Sequence, residues 1–100
     1  MTLGEKQRKF VRMLADLIIF AYGHEYELSC GDAWAKDGHK KNSNHYIRLA
    51  IDLNLFKDGV WLKKTTDHLP LGEYWESIGG SWGGRFNDGN HYSLEHEGNK

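Results

Sequence analysis

Apolar residues along this chain alternate between helical and strand-like spacing, and each change of period marks an element. Phe10, Leu14, Leu17, Ile18 and Ala21 recur three and four residues apart, the spacing of one helix face. Thr2 and Glu5 stand at capping-box spacing before them and Gly23 follows, so the pattern predicts an amphipathic helix over 3–22. Tyr26 to Ser29 reads as a short strand. Gly31 to Asn44 is rich in Lys, Gly, Asp and Asn and predicts a loop. From Arg48 to Phe56 the period is two. Leu49, Ile51, Leu53 and Leu55 share one face, and Ala50, Asp52, Asn54 and Phe56 share the other. Lys57-Asp58-Gly59 predicts a hairpin turn, with Val60 to Lys63 returning. Leu71, Trp75 and Ile78 fit a second helix over 69–78, with Pro70 in its first turn and Gly79-Gly80 at its end. Ser81 to Asn90 reads as a glycine-rich loop and His91 to Glu95 as a last strand. Trp61 and Trp75 are expected in the core, and Glu97 to Lys100 is expected to fray. The order helix, strand, loop, hairpin, helix, strand predicts an α+β fold. Its small antiparallel sheet is covered by the N-terminal helix.

Composition narrows the function without deciding it. A length of 100 residues suits a single domain spanning 1–100. The net charge of −1 offers no basic excess, so no nucleic-acid partner is expected. The lone cysteine, Cys30, has no partner for an intramolecular disulfide and is expected to be small and half-buried. Arg12 and Asp16 interrupt the first apolar stretch, and no small-x-small cleavage site follows it. The expectation is therefore a chain made in the cytoplasm without a signal peptide and without membrane insertion.

The candidate chemistry lies in two short stretches. Ser43-Asn44-His45 is followed seven residues later by Asp52, and Asp88-Gly89-Asn90-His91 stands near the C-terminus. Two imidazoles and a carboxylate are a common way to hold a catalytic zinc with one position open. His45, Asp52 and His91 are the candidate ligands. Asp88 is the candidate general base, since a carboxylate beside such a site can take a proton from water. The alternation around Asp52 puts it on a strand, so His45 must turn in at the strand's entry and His91 must come from a neighbouring strand. His24, His39, His68 and His96 stand outside these patterns and read as structural or surface residues.

Ser43-x-His45, Ala50-x-Asp52, Trp82-Gly83-Gly84 and Asp88-x-x-His91 together resemble the zinc D-alanyl-D-alanine carboxypeptidase and L-alanyl-D-glutamate endopeptidase family. That family includes phage endolysins and the vancomycin-resistance D,D-peptidases, and it shares its metal site with hedgehog-type domains. The resemblance runs from about Gly31 to His96. It implies zinc on His45, Asp52 and His91, with Asp88 as general base. Ser43 would support the first histidine, and Trp82 would help shape the site. The cut bond would be an amide of a peptidoglycan stem peptide. The family's glycine between the metal His and Asp is Arg48 here. The family's loop arginine has no counterpart, so Lys36, Arg48 or Arg85 would supply the positive charge for the oxyanion. The implied protein is a monomer acting at the cell wall, reached with a holin-type partner. The alternatives are a D-alanyl-D-alanine carboxypeptidase on the same scaffold and an inactive wall-binding or phage structural protein.

Overall fold

The computed structural model describes residues 1–31 and 43–100. Helix α1 spans Leu3–Gly23 and opens on the expected capping box. The Thr2 side chain accepts from the Glu5 amide, and the Glu5 carboxylate accepts from the Thr2 amide. Its end differs from the expectation. Gly23 stays helical, and the left-handed residue is Glu25, at φ 66°. Tyr26 N–H reaches back to the Ala21 carbonyl and Glu25 N–H to that of Tyr22, the paired bonds of a Schellman motif.

Strand β1 (Glu27–Cys30) lies one residue later than its sequence pattern suggested, and Cys30 is exposed rather than half-buried. Strand β2 (Ala50–Lys57) turns through Asp58 and Gly59, both at positive φ, into β3 (Val60–Leu62). Two left-handed residues in a two-residue loop match the twist of a hairpin, which is why Asp-Gly suits it. A 3-10 turn (Thr65–His68) leads into helix α2 (Leu69–Ser77). Here the left-handed position does fall on a glycine, Gly79 at φ 105°.

The segment after α2 is not only loop. Ser81–Trp82 forms a short strand, β4, and Gly83–Phe86 a 3-10 turn, before β5 (His91–Ser93). The sheet is antiparallel throughout, in the order β1-β2-β5-β4, with β3 also paired to β2. Strand β5 pairs with the first half of β2, at Ala50 to Asp52, and β3 with the last part, at Leu55 to Lys57.

One face of this sheet is the core. Leu49, Ile51, Leu53 and Leu55 meet Phe10, Met13, Leu17 and Ala21 of α1 and Leu71 and Trp75 of α2. Both helices therefore cover the sheet. Trp75 packs edge-on to Phe10 and Tyr92 and donates from Nε1 to the Ser93 carbonyl at 2.8 Å. Trp61 departs from expectation. It lies on the hairpin at 50% exposure, because it pairs with Phe56 and so shares the face turned away from the helices, whereas its neighbour Leu62 packs against the core. Among the described residues no helix is long and apolar enough to cross a membrane. The opposite face of the sheet carries Asp52.

Candidate metal centre

The metal candidates arrive from a turn and two strands. Asp52 and His91 are direct cross-strand partners of β2 and β5, so their side chains leave the sheet together on the face away from the core. His45 enters from the turn over residues 44–48. That turn is tied by the Leu49 amide on the Asn44 carbonyl and by Gln7 of α1 on the Ile47 carbonyl. Ser43, itself buried, accepts the His45 amide at 3.3 Å. Arg48 ends the turn at φ 59°. A left-handed position explains why the family pattern favours glycine there, and it places Arg48 on an exposed turn rather than in the cleft.

Three ligand atoms from His45, Asp52 and His91 lie within 4.8 Å of one another. Asp52 Oδ1 is 3.2 Å from His45 Nε2 and 3.4 Å from His91 Nδ1, yet it is buried and has no hydrogen-bond partner. Donors about 2.1 Å from a tetrahedral zinc stand roughly 3.4 Å apart, so these two separations suit a shared cation. His91 is oriented from outside. Its Nε2 lies 3.1 Å from the Lys100 carbonyl, which can only accept. The neutral ring therefore carries its proton on Nε2 and its lone pair on Nδ1, towards Asp52. Burial opposes the His91 imidazolium. The Asp52 carboxylate, the Lys100 carbonyl and the charge of Asp88 more than offset that, holding its pKa above the usual histidine value. A nitrogen- and carboxylate-donor set of this kind fits zinc.

A family model for D-alanyl-D-alanine carboxypeptidases matches residues 36–94, more than half of the chain. The chain belongs to that family. The comparison with curated proteins returns no match.

The family's other expected positions divide. Asp88 is exposed and lines a cleft of about 640 Å³ with Ser43, His45, Asp52 and His91. Its backbone is held by the Gly83 carbonyl at its amide and by the His91 amide at its carbonyl. Trp82 does not face this cleft. Opposite Tyr92 in register, it points into the core and is 3% exposed. It acts from beneath, donating Nε1–H to the Gly89 carbonyl at 2.8 Å and so holding the turn between Asp88 and His91. The Trp-Gly-Gly run follows from this packing. A Cβ at Gly83 would stand 2.3 Å from the Asp88 carbonyl oxygen, and one at Gly84 2.2 Å from the Trp82 ring.

Arg85, a candidate oxyanion cation, is instead committed to Glu76, with Nε at 3.0 Å and a second guanidinium nitrogen at 2.6 Å from its carboxylate oxygens. Lys36 lies outside the described residues, as does His39. The expected frayed tail is also corrected. Glu97 and Gly98 form a left-handed turn that pairs His96 with Asn99 through both backbone bonds. Asn44, 1% exposed, fastens that tail by donating to the Leu94 and Asn99 carbonyls and accepting from Asn99 Nδ2. Asn44 is a residue that pattern reading passed over, although it sits within the Ser43-Asn44-His45 tripeptide.

Proposed function

We propose that this chain is a zinc metallopeptidase hydrolysing an amide bond in peptidoglycan stem peptides. In our reading it is an endolysin-like L-alanyl-D-glutamate endopeptidase of phage or prophage type. The observation that carries the reading is the buried Asp52 oxygen, close to two imidazole nitrogens yet satisfied by no hydrogen bond, in a chain of a peptidase family. His45, Asp52 and His91 would hold the ion. When bound, zinc supplies a Lewis acid for the scissile carbonyl and acidifies water to a pKa of about 7. Asp88, on the wall of the same cleft, takes the proton of the attacking water and delivers it to the leaving amine. The Lys100 carbonyl keeps His91 in the tautomer that ligation needs. An open cleft with a further hollow beyond Asp88 supports an endopeptidase, which must pass a chain on both sides of the cut. In this reading the protein works as a monomer at the wall, reached through a holin-type partner.

The family's description favours a second reading, D-alanyl-D-alanine carboxypeptidase on the same site. One experiment tests both. Purified peptidoglycan is digested with zinc-loaded protein, with and without chelator, and the fragments are weighed by mass spectrometry. Chelator-sensitive release of new N-terminal D-glutamate supports the first reading, and release of free D-alanine the second. Bound zinc with no cleavage of several wall chemotypes overturns both in favour of a wall-binding protein.

A further inference from the structure

The open face of the sheet does not end at the metal centre. Asp52 and Asn54 alternate with the buried Ile51, Leu53 and Leu55, so they point the same way. A same-face step along a strand is about 7 Å, the length of two residues of an extended peptide lying beside it. At Asn54 a second hollow opens, of about 280 Å³, with Trp61, Lys63, His68 and Asn90 in its walls. Asp88 lines this hollow as well as the metal cleft, so the two adjoin at this residue.

The lining has the character of a recognition site. Trp61 is half exposed, its ring stacked on Phe56 and capped by Lys63 Nζ at 4.6 Å from the ring centre. A half-exposed aromatic ring held in place by its neighbours is a common anchor for a ligand. His68 is only 3% exposed, yet it lines the hollow while its Nδ1 is engaged with the Tyr92 hydroxyl at 2.8 Å. Asn54, Asn87 and Asn90 bring amide groups. Among the described residues, Lys63 is the cation of the lining, with its Nζ beside Trp61. Asp88, at the metal end, repels a ligand carboxylate and so steers it towards Lys63.

We propose that this hollow is a substrate subsite for a carboxylate-bearing residue of the peptide, one to two residues from the cut bond. Lys63 pairs with the carboxylate and Trp61 covers the adjoining chain. The inference rests on the peptidase reading above and names the substrate chemistry that site selects.

Two synthetic stem peptides, identical except that one carries a carboxamide for the carboxylate, test it. The wild-type protein is expected to favour the carboxylate form by about tenfold in kcat/KM, mostly through KM, as one charge-assisted hydrogen bond implies. Lys63→Met is expected to erase that preference with zinc content unchanged, and Trp61→Ala to raise KM for both peptides. A preference that survives Lys63→Met overturns the subsite. If the wild-type protein cleaves neither peptide, it is the peptidase reading that fails. The subsite is then judged by NMR titration of the carboxylate peptide into zinc-loaded protein. A shift of the Trp61 indole N–H resonance that Lys63→Met abolishes upholds it, and no shift overturns it.

Discussion

Replacing Trp82 by phenylalanine should damage the metal centre from the opposite side of the sheet. The indole is 3% exposed and its Nε1–H is bonded to the Gly89 carbonyl. Phenylalanine removes that donor and leaves a buried carbonyl without it, at about 1–3 kcal/mol. The smaller ring also leaves a void beside Gly72 and Gly84, worth roughly 1 kcal/mol more. The total of about 2–4 kcal/mol corresponds to a fall in Tm of roughly 10–20 °C at this chain length. Because the lost bond holds the turn leading into His91, zinc affinity should fall with stability. Gly72→Ala provides an independent route to the same state, since its Cβ would lie 2.1 Å from the indole and must displace it. Thermal unfolding by circular dichroism reads the first quantity, and competition with a chromophoric chelator reads the second. A Trp82→Phe protein that melts within 3 °C of wild type and binds zinc equally well would refute the claim that the indole holds this turn.

Three further outcomes follow from the site. Zinc should raise the Tm of the wild-type protein in proportion to the logarithm of its concentration, and Asp52→Ala should abolish the rise in a calorimetric titration. Asp88→Asn should retain zinc, measured by atomic absorption, while turnover of wall peptides drops on the order of 10²–10⁴-fold; an equal loss of zinc would make Asp88 structural instead. His68 is buried, and burial lowers its pKa to about 4, with Asp67 opposing weakly. The unfolded chain therefore binds the proton first as pH falls, so the stability this group contributes is complete above pH 6.5 and is lost progressively as pH falls through 4. Allowing for partial solvent screening, the loss is about 2 kcal/mol, and denaturant titrations of His68→Gln should show a correspondingly flatter acid limb.

Local signals in the sequence were legible where the structure is local. The capping box at Thr2 and Glu5, the Asp58-Gly59 turn and the alternation of β2 each depend on residues within a few positions of one another. Strand β4 was not legible, because two residues carry no period and its pairing partner lies about ten residues further on. The same shortness hid which way Trp82 faces. The helix end at Glu25 is not legible because its left-handed position is held by local backbone bonds rather than marked by a glycine. The exposure of Trp61 is not legible because aromatic character does not tell which face of a three-residue strand meets the core. For the site, motif spacing pointed to His45, Asp52 and His91, which the fold brings together. The hold of Asn44 on residues 94 and 99 joins positions fifty or more apart, beyond the reach of any pattern.

The direct pairing of Asp52 with His91 ties metal affinity to strand register. A slip of β5 by one residue would turn His91 towards the apolar layer and bring Tyr92 out beside Asp52, since strand side chains alternate faces. A slipped chain thus loses a ligand and buries an imidazole in the same movement, and an ion in the medium would favour only the correctly paired form. Zinc would then act during folding as a check on alignment. Refolding yields measured with and without the ion would show it, as a larger share of native protein when zinc is present from the start than when it is added at the end.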